Sequence, residues 1–395
     1  MTEPTPAAAA DDGAPGDAVS DVGVSPRARA WATTMAGHPG GDLVRAHRGS
    51  HATLGEGPVI DRARREEREA ELLRPGATLA RGAGHRARPE EPDPERTCFE
   101  RDRDRIVHST AFRRLAGKTQ VVVHPTDHQR TRLTHALEVS QVATSIARAV
   151  GVNVALTEAI ALGHDCGHGP GGHASEDAFD PYVPGGYDHG PWGADVVLTG
   201  LNLCAETLDG IRRHSWSSPP PATVEGEIVS WADRIAYCAH DLEDAAHAGI
   251  VDLADLPAEI TAVCGATRRD QLRTFVRAVV ATVDTYGEVG MAAEPAGALA
   301  ELRAFNYERI YVREESLAQS RAVVAVLRAL VDHYAEHPDI VPDAFPGGTA
   351  EPTDPDAQIL HRAVSYVAGM TDRYAFDVAV RELGWDPRRL PRAIE

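Results

Sequence analysis

The sequence predicts an all-α fold, and three observations carry that reading. Beyond Phe99 apolar residues recur at helical spacing, as in RTRLTHALEVSQVATSIARAV, where Leu133, Leu137, Val142, Ile146 and Val150 follow it. Strand-like patterning is confined to TQVVV, residues 119–123, which reads as one arm of a short hairpin. Glycines cluster into one irregular hinge just after His164, and no internal repeat breaks the helical pattern.

Taken in order, residues 1–57 are rich in Ala, Gly, Pro, Asp and Ser and poor in large apolar side chains. Burial cannot offset the entropy of ordering such a segment, so disorder is expected. Residues 58–98 open with a charged helix, DRARREEREAELL. The Arg/Gly/Pro-rich arm that follows, RPGATLARGAGHRARPEEPDPERT, reads as extended over the surface. Residues 99–395 form one large helical domain with its central part at about 130–250. In it Gly151 stops one helix and Asn153 caps the next, NVALTEAIALGHD. Further helices fall on VEGEIVSWADRIAYCAHDLEDAAHAG, RDQLRTFVRAVVATVDTYG, ALAELRAFNYERIYVREESLAQSRAVVAVLRALVDHYAEH and AQILHRAVSYVAGMTDRYAFDVAVREL. Pro219, Pro220 and Pro221 mark a loop between two of them.

The 395 residues carry a formal charge of −19, which argues against an all-over nucleic-acid binder and requires any basic site to be local. Five scattered cysteines with no CxxC pair read as reduced thiols rather than a disulfide frame or zinc ribbon. No apolar run approaches a membrane span, and the N-terminus lacks a basic start and an apolar block, so a cytoplasmic location is expected.

The segment ALGHDCGHGPGGHASED, residues 161–177, places three histidines within ten positions. An HD dipeptide alone is weak, and the chain has two, His164-Asp165 and His240-Asp241. The surroundings favour the first: His135 falls on one helix, His164-Asp165 ends the next, and Asp233 falls on a third. Two imidazoles and two carboxylates make a mixed N/O set suited to Mn, Fe, Co, Zn or Mg. Neighbours on a helix point about 100° apart, so both can reach one ion only near a helix end or inside a bundle. Pattern alone leaves a second reading open, a satisfied core histidine at 135 and a polar helix end at 164–165.

The stretches FERDRDRIVHSTAFRRLAGKTQV, DHQRTRLTHALEVSQVATSIARA, LTEAIALGHDCGHGPGGHASEDAF, GLNLCAETLDGIRRH and ADRIAYCAHDLEDAAHAG are long and specific. They resemble the bacterial dGTPase-like deoxynucleoside triphosphate triphosphohydrolases of the HD-domain superfamily. The likeness runs from about Pro75 to the end and includes YVAGMTDRYA. It implies an HD-domain helical bundle with additional C-terminal helices. The activity it implies is hydrolysis of dGTP or a broader range of dNTPs to deoxynucleoside and triphosphate, by a metal-activated water attacking the α-phosphorus.

Carried over residue by residue, the resemblance makes His135, His164, Asp165 and Asp233 ligands of a divalent metal ion, with Mn or Mg favoured. His173 becomes the acid for the leaving 5′-oxygen, Glu176 the carboxylate that orients it, and His168 a group near the α-phosphate. Spacing i, i+3 puts His173 and Glu176 on one helical face, although a glutamate there also suits a plain helix start. Asp233, Tyr237 and Asp241 share one stripe at i, i+4 and i+8, and the resemblance gives Tyr237 and Asp241 to the deoxyribose. It gives Gln120 to the 3′-hydroxyl and Val121 to exclusion of a 2′-hydroxyl; read alone, both are ordinary hairpin residues. Arg132, three residues before His135, and Arg213, where the family commonly has lysine, supply charge for the triphosphate; a planar fork is not equivalent to an ammonium. Arg101, Arg103, Arg105 and Arg113 suit structural ion pairs equally well. The resemblance also implies a homo-oligomer, with single-stranded nucleic acid as a candidate effector.

Two segments depart from the family. HGPGGH, residues 168–173, stands where HPPFGH is usual, which adds unfolded-state entropy and deletes a ring. GGYDHGPWGADVV stands where GGFEHNxQ is common, keeping His189 but placing Gly190 at the asparagine. The competing readings are another HD phosphohydrolase, such as a nucleotide phosphatase or cyclic nucleotide phosphodiesterase, and a nucleotide-sensing regulator of low activity. Retention of KTQV, of the Tyr237–Asp241 stripe and of His173 with Glu176 weighs against both.

Overall fold

The computed structural model describes residues 24–121, 129–342 and 354–391, and clusters into two compact units, Met1–Val59 and Ile60–Glu395. In the first, α1 (Pro26–Ala32) begins at Ser25, whose hydroxyl accepts from the Ala28 amide. An antiparallel hairpin follows, β1 (His38–Gly40) with β2 (Leu43–Arg45), in the register His38 to Arg45. It is the only sheet among the described residues. The hairpin arm expected at 119–123 is instead an isolated bridge between Thr119 and Thr131, with residues 122 and 123 outside the described residues.

The described regular elements of the second unit are all helices. Asp61 caps α2 (Arg62–Leu72), and Thr97 with Glu100 forms a capping box on α3 (Cys98–His108), followed by α4 (Thr110–Arg114). Next come α5 (Arg132–Val150), closed by Gly151, and α6 (Val154–Gly163), whose cap Asn153 accepts from the Leu156 amide as expected. Short helices α7 (Ala174–Phe179), α8 (His189–Trp192) and α9 (Ala205–Arg212) lead to the long α10 (Val224–His247). The chain continues through α11 (Ala258–Cys264), α12 (Arg268–Tyr286), α13 (Ala293–Asn306), α14 (Glu314–Glu336), α15 (Pro355–Ala368) and α16 (Asp372–Leu383).

Two stretches with continuous apolar periodicity are broken in the fold. Residues 298–337 divide into α13, a π turn at Tyr307–Tyr311 and α14, because Val312 leaves helical geometry and Arg313 is extended. Residues 357–383 divide at Gly369–Thr371, where Thr371 caps α16.

Helices α5, α6 and α10 pack on one another, and α3, α9 and α12 enclose them around Phe99, Ile146, Ile160, Ile235 and Phe275. A second apolar cluster joins α7 to α14, α15 and α16 through Phe179, Leu327, Leu330, Val364 and Phe376. Buried acids bind the arm between α2 and α3 to this framework. Glu225 of α10 accepts from Thr78 N, Thr78 Oγ1 and Asn153 N. Asp102 accepts from Cys204 N and Thr207 Oγ1 and pairs with Arg86 at 2.6 Å. Both satisfy buried charge with several donors, which is what makes such burial tolerable. Among the described residues no helix is long and apolar enough to cross a membrane.

Candidate metal centre and active-site cavity

Three helices deliver one cluster of donors. His135 lies in the first turn of α5, His164 is the C-cap of α6 with Asp165 in the turn after it, and Asp233 lies midway along α10. His164 and Asp165 are adjacent in sequence yet face one point because the helix ends between them. His135 Nε2 is 3.0 Å from Asp233 Oδ1 and 4.0 Å from Asp165 Oδ2; His164 Nε2 is 3.4 Å from Asp165 Oδ1 and 3.7 Å from Asp233 Oδ1. Ligands about 2.1 Å from an ion stand roughly 3.0–3.4 Å apart in octahedral or tetrahedral arrangement. The two shorter spacings match this, and the two longer ones need a small closure. His164 is shared by a group with His135 and Asp233 and a group with Asp165 and His214.

The His164 ring makes the fit more specific. Its Nδ1 is 2.7 Å from the Ala161 carbonyl, which fixes the proton there and leaves Nε2 as a lone pair. That Nε2 is fully buried and has no hydrogen-bond partner among the described residues. An orphaned, buried acceptor aimed at two carboxylates is costly without a cation to bind. Burial disfavours both charged forms, but the Arg132 guanidinium holds Asp165 well below the usual carboxylate range, and the hydrogen bond from His135 lowers Asp233. Burial also pushes His164 down, which keeps its imidazole neutral. The donor set therefore fits a divalent cation. The other HD dipeptide does not gather donors in this way: His240 Nδ1 turns to Glu138 at 3.2 Å while Asp241 faces the cavity.

Next to this cluster lies a chain of imidazoles. His168 stacks on His189 with centroids 3.7 Å apart, and His173 meets His168 edge-on at 4.9 Å. Glu176 is shared: one oxygen is 3.1 Å from His173 Nδ1, the other 2.5 Å from His189 Nδ1. Burial opposes ionisation of Glu176, but the two histidines hold its carboxyl far below the ordinary range. The His173 side chain is 72% exposed, whereas that of His189 is 9% exposed. His189 Nε2 is 3.0 Å from His214 Nε2, and His214 Nδ1 meets the Ile211 carbonyl at 2.8 Å, the same tautomer-fixing device as at His164. Burial pushes His214 down to about 3. His168, His173, Glu176 and His189 also bring donor atoms within 4.8 Å of one another.

These groups open onto a cavity of about 450 Å³. Gln120, Val121, Arg132, Tyr237 and Asp241 all line it, as do His135, Asp165, His168, His173 and Asp233. Arg132 is 1% exposed, donates Nη1 to Asp165 at 2.8 Å, and has Nε and Nη2 without partners among the described residues. Gln120 Oε1 is likewise unpaired among them. Asp241 accepts from Tyr311 at 2.6 Å, and burial pushes its carboxyl up to about 7. Tyr237 accepts from Arg303 at 2.8 Å.

Arg213 is the predicted site residue that the fold turns elsewhere. Its guanidinium pairs with Asp209 at 3.2 Å and donates to the Pro220 carbonyl, and it does not line the cavity. An arginine at this point can reach the carboxylate one turn back, and that contact wins. Arg234 lines the cavity instead, its guanidinium 3.5 Å over the ring of Trp216. Sequence reasoning passed over Arg234, Trp216, Arg303 and Tyr311. For Arg234 a signal was present, its place directly after Asp233; Arg303 and Tyr311 come from distant helices with no local mark.

Residues 132–238 match the HD domain and residues 289–381 the Phosphohydrolase-associated domain. The chain is similar to a deoxyguanosinetriphosphate triphosphohydrolase-like protein of Caldanaerobacter subterraneus subsp. tengcongensis, 42% identical over 78% of this chain and 92% of that one. A protein of the same description from Clostridium perfringens (strain 13 / Type A) is 41% identical over 73% and 87%. Another, from Desulfatibacillum aliphaticivorans, is 38% identical over 78% and 94%.

Proposed function

Since the chain belongs to the deoxyguanosinetriphosphate triphosphohydrolase-like family of HD-domain phosphohydrolases, we propose that it cleaves a deoxynucleoside triphosphate into deoxynucleoside and triphosphate. His135, His164, Asp165 and Asp233 would hold the divalent cation, Mn or Mg being favoured. When bound, such a cation lowers the pKa of water and polarises a phosphoryl oxygen. The observation that carries the reading is the orphaned, buried Nε2 of His164 aimed at two carboxylates beside the unpaired donors of Arg132.

In this reading Arg132 offers Nε and Nη2 to an α- or β-phosphate oxygen, and Arg234 and Arg303, which line the same cavity, carry further positive charge. His173 gives its proton to the departing 5′-oxygen while Glu176 holds its Nδ1, and His168 stays neutral because burial and Arg132 keep it so. Tyr237 and Asp241, braced by Arg303 and Tyr311, meet the sugar. Purified protein incubated with each dNTP and Mn or Mg should release triphosphate and deoxynucleoside. Orthophosphate or pyrophosphate as the sole inorganic product rules the reading out.

A further inference from the structure

The motif YVAGMTDRYA takes no part in the chemistry above, yet its Asp372, first residue of α16 and 4% exposed, reaches the cavity wall. One carboxylate oxygen accepts from Thr119 N at 2.9 Å and Thr119 Oγ1 at 2.5 Å; the other accepts from Gly171 N at 2.8 Å. Beside it the buried ammonium of Lys118 donates to the carbonyls of His168 and Ala368.

Neither segment held this way has regular structure of its own. Thr119 makes only an isolated bridge, and Gly171 lies at φ +74°, where a Cβ would meet Val323 Cγ1 at 2.5 Å. Their next neighbours are Gln120 and Val121 on one side and His173 on the other. A buried carboxylate accepting three hydrogen bonds is a strong and directional tie, and with both oxygens engaged it cannot follow one segment without pulling on the other. The carboxylate comes from the Phosphohydrolase-associated segment, outside the HD match.

We propose that Asp372 is a positioning residue that fixes the separation between the Gln120–Val121 segment and the loop carrying His173, so that the C-terminal helices set both the rate and the discrimination at the sugar 2′ position. This rests on the triphosphohydrolase reading. Lys118 supports the same junction from below by binding the backbone at both ends, His168 in the loop and Ala368 at the end of α15.

The test compares kcat and KM on each dNTP and on the matching NTP in the full chain. Asp372→Asn keeps the shape but turns a donor toward one of the two segments; kcat should fall about tenfold or more with KM little changed, and the preference for dNTP over NTP should shrink. Thr119→Val deletes one hydrogen bond at constant volume and should show a smaller loss, which Thr119→Ser, keeping the hydroxyl, largely recovers. A folded Asp372→Asn protein with wild-type kcat and sugar preference overturns the proposal. If that variant does not fold, equal kcat for Thr119→Val and Thr119→Ser overturns it. Should the wild type turn over no dNTP, the functional reading fails, and amide exchange of residues 119–121 and 171–173 decides instead. Faster exchange in Thr119→Val then supports the tie, and unchanged exchange overturns it.

Discussion

The guanidinium of Arg234 lies 3.5 Å over the indole of Trp216. The indole is itself held, by donation from its Nε1 to the Ser230 carbonyl at 3.0 Å and by edge contact with Trp231. A cation–π contact of this kind contributes about 0.5–2 kcal/mol and fixes where the charge sits. Trp216→Leu should therefore raise KM for a triphosphate substrate several-fold with kcat largely kept, and Trp216→Phe should lose less. Steady-state kinetics at low and moderate salt check this, because an effect unrelated to phosphate binding would not weaken with salt.

Glu176 serves two histidines, so its loss removes two supports at once. Glu176→Gln retains one acceptor and should lower kcat by about 10²-fold or more, with a smaller change in KM. A drop no larger than a few-fold, measured on folded protein, would mean the carboxylate only starts α7.

Removing the buried acceptor at His164 should abolish cation binding. In the wild type, Mn or Mg should raise the melting temperature by mass action, as any ligand selective for the folded state does. His164→Ala should melt at one temperature with or without added cation and retain no activity. Calorimetric scans with and without metal give the answer independently of turnover.

Asp241 carries a stability signature in pH. Its folded pKa is raised to about 7 by burial, above its unfolded value. Its contribution is complete below the unfolded pKa and is lost as pH rises from about 4 through 7, where the unfolded chain ionises and the folded one resists. Asp241→Asn, which still accepts from Tyr311, should equal the wild type near pH 4 and exceed it by about 1–3 kcal/mol at pH 8. Urea denaturation of both proteins across that range tests the sign.

Two glycines should respond in opposite directions. Gly171→Ala places a methyl against Val323 at a positive φ and should cost about 1–3 kcal/mol. Gly297, exposed within α13 and with nothing near its missing Cβ, should gain about 0.5–1 kcal/mol on change to alanine. Thermal melts of the two single variants suffice.

The helices were legible where periodicity and a cap agreed, as at Asn153 before α6. Breaks inside apolar runs were not: the helical spacing carries on through Tyr307–Tyr311, and the Gly369 and Thr371 signals sit inside a longer apolar run. The donor cluster was legible because each of its residues sits in a long motif. Arg213 shows the limit: its position was readable, but its direction follows from Asp209 and the Pro220 carbonyl, a competition no spacing rule contains. The HGPGGH loop is tied by Gly169 N to Ser175 Oγ and by Gly171 N to Asp372, partners that no local motif announces.

The π turn at Tyr307–Tyr311 fixes the length of the chain there to the residue. Deleting a single position would let α13 run on as a regular rod and rotate everything after it by about 100°, carrying the Tyr311 phenol off Asp241. An insertion at Gly249, in an exposed turn with nothing near its missing Cβ, would be absorbed, whereas a change at this bend would break the Tyr311–Asp241 contact in the cavity wall. Chain length between α13 and α14 is thus under tighter constraint than the identity of most side chains along it.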